Sequence, residues 1–231
     1  MILLTIAGHG GPDSGALNPF NSWLPEKTIN LNIANEITRI AAMNGHEAYA
    51  MRTTDIDFAL NDIAPTAREL GAQVVVEVHC DAGDIYSTGC HAICLPNTQS
   101  VILGEHICSK IERTVGIPNN GVKDHFWSNR QPVYVRNVAR FQQLVDRCHL
   151  LVESGFITGE HDEPILASRQ TEIAWSYVSA MHSMFGFKEP VMFQDNAQAS
   201  DGLLKAFITI VGGGAVIYGL SQYGKSGSVA K

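Results

Sequence analysis

Short β-branched runs alternate with stretches in which apolar residues recur every three or four positions. Ile2, Leu3, Leu4 and Ile6 form a compact run that stops at Gly8, which predicts a buried strand over 2–7. Ile29, Ile33, Ile37, Ile40 and Ala41 repeat at helical spacing before Asn44 and Gly45, so 26–44 reads as a helix. A strand at about 47–52 and a second helix over 57–71 follow. Val74, Val75, Val76 and Val78 make the clearest buried strand, being β-branched and short. Residues 89–95 are strand-like, 99–115 helical, and 116–121 a loop rich in Gly, Pro and Asn. Beyond an irregular stretch the pattern predicts a helix near 138–147, a short strand over 149–152 and a helix over 168–185.

Strands alternating with amphipathic helices predict an α/β fold: a twisted, mostly parallel sheet with helices on both faces. Such sheets bind ligands beyond the carboxyl ends of their strands. His9 follows the first strand, His79 ends the third and Glu153 ends the last, so these polar residues fall at one edge. The pattern divides the chain into a domain over 1–187, a linker over 188–202 and an apolar C-terminal tail over 203–231.

Composition narrows the function. Apolar residues are 45% of the 231, enough for a sizeable core, and nothing is of low complexity. A net charge of −7 argues against a phosphate-tracking nucleic-acid binder and against a clamp onto anionic membrane. Five cysteines, an odd number with no Cys-x-x-Cys pair, predict free packed thiols. The N-terminus runs straight into a strand without the charged and apolar regions of a secretory signal, so synthesis in the cytoplasm is expected.

Four residues carry candidate chemistry. His9 sits in Gly8-His9-Gly10-Gly11-Pro12-Asp13-Ser14-Gly15-Ala16, where glycines let the backbone bend and leave the imidazole accessible. Asp13 either orients His9 through a hydrogen bond or caps its own turn. Glu26 opens the first long helix, where the macrodipole alone would favour a carboxylate. His79 ends the most apolar strand. Each has an ordinary reading by itself. Together, two histidines and a carboxylate at one sheet edge match the three-ligand, open arrangement of catalytic zinc. Glu153, at the end of a buried apolar run, is either a salt-bridge partner or a general base.

In this order and with these neighbours, the four positions resemble the zinc-dependent N-acetylmuramoyl-L-alanine amidases. That family's Gly-His-Gly-Gly-x-Asp-x-Gly-Ala is matched from Gly8 to Ala16, and its helix-opening Glu-Lys with Asn-Leu by Glu26, Lys27, Asn30 and Leu31. His79-Cys80-Asp81-Ala82 is close to its second histidine element, and Gly-Val-Lys appears at Gly121, Val122 and Lys123. The closing Glu-x-Gly-Phe is Glu153 to Phe156, with Asp162 at the expected distance. The resemblance implies one Zn²⁺ per chain on His9, Glu26 and His79, with Glu153 as the catalytic carboxylate. It also implies a substrate, the amide between N-acetylmuramic acid and L-alanine in peptidoglycan. Ile6 and Ala7 replace the usual Asp-Pro, Glu77 replaces a serine and Asp81 an asparagine, which suggests a divergent member such as a phage or prophage lysin. Such an enzyme reaches the wall after lysis, release or particle delivery. The alternatives are another zinc peptidase of the stem peptide, or a non-catalytic wall-binding or particle module.

The tail carries no formal charge between Lys205 and Lys225. As a helix this run would span roughly 28 Å at about 1.5 Å per residue, near the roughly 30 Å of a bilayer core. Gly212, Gly213 and Gly214 count against a helix, at about 1 kcal/mol each. Docking of a helix on its own domain or a neighbour, membrane contact, and phage-particle contact are the three readings. In each the tail is dispensable for chemistry, since every motif residue precedes it.

Overall fold

The computed structural model describes the chain except residues 22–23, 97, 125–140, 193–206, 212–213 and 219–231. Six strands form one sheet in the order β2-β1-β3-β6-β4-β5, built from β1 (Ile2–Ala7), β2 (Glu47–Ala50), β3 (Val74–Asp81), β4 (Cys90–Cys94), β5 (Asn119–Asp124) and β6 (Cys148–Phe156). Strands β2, β1, β3 and β6 are mutually parallel. β4 runs antiparallel to β6, and β5 parallel to β4. The sheet is therefore mixed but mostly parallel, as the alternating pattern predicts.

Side-chain alternation sorts the sheet into two faces. Leu3, Ala7, Val74, Val76, Val78, Cys80, Cys90, Ala92, Cys148, Leu150 and Val152 point into the larger core. That core is closed by α1 (Glu26–Met43), α3 (Thr98–Val115) and α5 (Gln170–Phe185). Ile29, Ile33, Ile37 and Ile40 of α1 are fully buried in it, which is the stripe that the helical spacing predicts. Leu4, Ile6 and Val75 point the other way, onto Ile63, Ala64 and Ala67 of α2 (Ile63–Glu69). Helices thus cover both faces. All five cysteines are free and buried, and Cys90 and Cys94 share the larger core.

Several boundaries move from the expected ones. The helix expected over 57–71 is a 3-10 turn, Leu60–Asp62, followed by α2. Starting at Ile63 places Pro65 in the first helical turn, where its missing N–H leaves nothing unsatisfied. Asp57 meanwhile accepts the Phe58 N–H at 2.8 Å and holds the upstream chain out of the helix. The last helix is split: α4 (Glu163–Ser168) precedes α5, with Arg169 at φ −120° between them. The 116–121 loop runs into β5, because the backbone beside β4 completes the ladder even where the side chains are poor strand formers. Of the helix near 138–147, residues 141–143 are helical and 144–146 turn, while 138–140 lie outside the described residues. β3 and β6 each run past His79 and Glu153, which lie within the strands rather than at their ends.

The tail differs most. Where a helix is expected, Phe207–Val211 and Gly214–Tyr218 form an antiparallel pair, β7 and β8, with Val211 opposite Gly214. The sequence explains the outcome: a helix would have to absorb three consecutive glycines, whereas Ile208, Ile210, Val216 and Ile217 suit extended backbone. β7 approaches the edge strand β2. Among the described residues no helix is long and apolar enough to cross a membrane. Most of the 188–202 linker lies outside the described residues. Residues 188–192 lie on the helical face: Asn44 bonds both the N–H and the carbonyl of Val191, and Trp175 donates to Pro190 at 3.0 Å.

Candidate metal centre

Glu26 occupies the first turn of α1 and is only 4% exposed. A carboxylate so buried needs donors. Oε2 accepts the Ala16 N–H at 2.8 Å. Oε1 accepts the Cys80 N–H at 3.2 Å and Asn30 Nδ2 at 3.1 Å. Asn30, one helical turn on, also donates to the Gly8 carbonyl at 3.3 Å. The Asn of the helix motif thus ties α1 and Glu26 to the first turn.

His9 leaves β1 with φ +61°, in the left-handed region that few side-chain-bearing residues adopt. The turn is closed by paired backbone bonds between Gly10 and Asp13, at 2.9 and 3.0 Å. Asp13 does both things expected of it. Its Oδ2 lies 2.9 Å from His9 Nδ1, and its Oδ1 accepts the Gly15 N–H at 3.0 Å. With Nδ1 engaged, His9 Nε2 faces Glu26 Oε2 at 3.1 Å. His79 Nδ1 faces the other carboxylate oxygen at 3.0 Å. A Cβ on Gly8 would lie 2.2 Å from the His79 ring, and one on Gly15 would lie 2.5 Å from Glu26 Oε2. Two glycines of the motif are therefore fixed by the packing of the His79 and Glu26 side chains.

Each of His9, Glu26 and His79 offers one donor atom, and the three lie within 4.8 Å of one another. The donor set suits zinc: two imidazoles and a carboxylate from three separate segments, with further donors around the carboxylate. Electrostatics agree. Burial opposes charging of His9, but its hydrogen bonds and attraction to Glu26 and Asp13 outweigh this and raise its pKa to about 9. Burial opposes ionisation of Glu26 too, yet hydrogen bonds from His79 and His9 hold its carboxyl far below the usual range. A carboxylate kept ionised between two imidazoles holds a proton where a divalent cation would replace it.

Glu153 lies on β6 opposite His79 of β3, half-buried on the same sheet face. Asp162, fully buried, fixes the end of that strand: it accepts the Phe156 N–H at 3.0 Å, the Gly89 N–H at 2.8 Å and the Thr88 hydroxyl at 2.6 Å. Glu77, two residues before His79, is buried. It lies 2.7 Å from His149 Nε2, both side chains being almost fully buried.

Sequence reasoning missed Arg52. Its guanidinium is fully buried and donates to Ala7 O at 3.2 Å, Gly8 O at 3.1 Å, Lys27 O at 2.9 Å and Thr54 O at 3.2 Å. It thereby joins the carbonyl before His9 to the carbonyl after Glu26. Lys27 secures the same turn from outside, donating to Gly11 O and Asp55 Oδ2, each at 2.7 Å. The signal for Arg52 in the sequence is a lone arginine at the end of the strand expected at about 47–52.

The sequence model of the N-acetylmuramoyl-L-alanine amidase family matches residues 3–183. A curated relative, uncharacterized protein YqiI of Bacillus subtilis (strain 168), is 27% identical over 167 residues, covering 71% of this chain and 74% of its own length. Among solved structures, N-acetylmuramoyl-L-alanine amidase AmiC2 of Nostoc punctiforme is 25% identical with a TM-score of 0.68, covering 80% of this chain and 97% of its own. The CwlD amidase from Clostridioides difficile, solved with the GerS lipoprotein, gives a TM-score of 0.69 at 22% identity, covering 80% and 98%. That last likeness speaks to the fold alone.

Proposed function

The chain belongs to the N-acetylmuramoyl-L-alanine amidase family, and from that premise we propose that it hydrolyses the amide between the lactyl group of N-acetylmuramic acid and L-alanine, with one zinc ion held by His9, Glu26 and His79. The observation that carries the reading is the convergence of those three donors within 4.8 Å, with Glu153 one strand away on the same sheet face. Zinc, when bound, supplies the Lewis acidity that polarises the scissile carbonyl and lowers the pKa of an attacking water to about 7.

The protein's own groups do the rest. Glu153 accepts the proton of the attacking water and returns it to the departing alanine nitrogen, so one carboxylate serves both halves of the reaction. Asp13 holds His9 with Nε2 directed inward, and Asn30 with the Ala16 and Cys80 amides keeps Glu26 in place. The proposed role is that of a lysin that meets peptidoglycan after lysis, release or particle delivery. Expression in a bacterial cytoplasm should then leave cells intact until the membrane is permeabilised.

Digestion of purified peptidoglycan tests the chemistry. Products with intact glycan and free alanine amines, lost with chelator and in Glu153→Gln, support the reading. Cleavage inside the stem peptide would replace it with a different zinc peptidase. Binding without products would replace it with a wall-binding module.

A further inference from the structure

Glu153 has an imidazole in register on each side. His79 lies opposite it on β3 and His91 opposite it on β4. The alternation of β4 sends Cys90, Ala92 and Cys94 into the larger core and His91 the other way, so His79, Glu153 and His91 form one row across the sheet face. Residues directly opposite on neighbouring strands bring their Cβ atoms to about 4.5–5.5 Å, within reach of a side-chain hydrogen bond. His79 is already turned toward Glu26 through Nδ1. His91 is only 2% exposed. Its Nε2 lies 3.9 Å from Asp81 Oδ2, which is attraction without a hydrogen bond.

The surroundings of His91 favour an uncharged ring. Burial lowers its pKa, the Asp81 charge raises it, and Lys123 on the outer strand β5 lowers it again. A neutral imidazole still donates one N–H. In register with Glu153, the ring is placed to reach the carboxylate with that N–H from the side away from His79. An isolated packing role would be filled as well by an aliphatic side chain, which carries no polar atom into a buried place.

We propose that His91 is a positioning residue: it holds the Glu153 carboxylate in the orientation that faces the His9–Glu26–His79 centre. The inference rests on the role given to Glu153 above and adds a residue that the family resemblance does not assign.

The test compares wild type, H91L, H91Q and E153Q for kcat and KM on a soluble muropeptide, zinc content and thermal midpoint. Misplacing a reacting group by about 1 Å costs on the order of 100-fold, so H91L should lose roughly 10- to 100-fold in kcat. Its KM and zinc content should stay at wild-type values. H91Q, which restores an N–H donor, should recover most of the loss. Should H91L fail to fold, H91M takes its place against H91Q. Wild-type kcat in H91L overturns the proposal. So does an equal loss in H91L and H91Q that tracks a lowered midpoint or lost zinc, since that is packing alone. Wild-type rates in E153Q would overturn the Glu153 assignment itself, and the positioning role would fall with it.

Discussion

Replacing Arg52 with methionine should loosen the metal centre without touching a ligand. The guanidinium makes four bonds to backbone carbonyls, at 2.9–3.2 Å, and is fully buried. Methionine fills most of the volume and removes the cost of burying a charge. It leaves the Ala7, Lys27 and Thr54 carbonyls without the guanidinium, while Gly8 O keeps Asn30 Nδ2. At about 1 kcal/mol for each carbonyl that loses its donor, the change costs on the order of 3 kcal/mol. For a chain of this size that is a fall of roughly 6–12 °C in thermal midpoint. The larger signature lies in metal affinity. Gly8 O precedes His9 and Lys27 O follows Glu26, so both ligand segments gain freedom together, and groups that orient ligands typically contribute about 10- to 100-fold. Circular dichroism melting and zinc competition against a chromophoric chelator measure the two effects. R52K, a single charge without the fork, should recover only part of either. A melting point within about 2 °C of wild type, with unchanged zinc affinity, would refute the account of Arg52 as the link between the two segments.

Asp13→Asn keeps the turn but weakens the hold on His9 Nδ1, so zinc affinity should drop about 10- to 100-fold by chelator competition; an unchanged affinity would leave Asp13 a turn cap only. Because His9 is raised from 6.5 to about 9 in the metal-free protein, its pairing stabilises that form fully below pH 6.5 and the benefit fades as pH rises through 9. Chelator-treated wild type should therefore lose more stability between pH 7 and pH 9.5 than chelator-treated His9→Gln, which shares its other titrating groups. By the same linkage, zinc uptake below pH 9 should release a proton, seen as a buffer-dependent binding enthalpy. Removing the chain after Met192, which keeps the bonds of Asn44 and Trp175 to Val191 and Pro190, should leave hydrolysis of soluble muropeptide intact. Loss of liposome flotation in that truncation would support membrane contact by the tail, and loss of hydrolysis would mean the tail completes the active domain.

The helices and strands most legible from sequence are those whose own periodicity decides them. The isoleucines of α1 and the valines of β3 are examples, because burial acts on every repeat. β5 was illegible for the opposite reason. Its Asn119, Asn120 and Gly121 favour turns, and only pairing with a buried neighbour makes them a strand. In the tail, the absence of charge and the length of the run suit a helix, but the glycine run and the β-branched residues suit a strand pair better. Among site residues, His9, Glu26 and His79 each have a bland local explanation, and only their joint order against a family pattern sets them apart. The structure brings their donor atoms together. Arg52, the Glu77–His149 pair and His91 were beyond reach, since their meaning lies in contacts or registers across 25 to 72 residues.

The central claim is that hydrolysis depends on one zinc ion held by His9, Glu26 and His79. Its most direct test is titration of zinc into chelator-stripped protein while free alanine amines are counted from purified peptidoglycan. Wild type should be inactive without metal and reach full activity at one equivalent, while His79→Ala should neither retain zinc nor regain activity. Turnover by the fully stripped wild type, or restored activity in His79→Ala at one equivalent, would contradict the account.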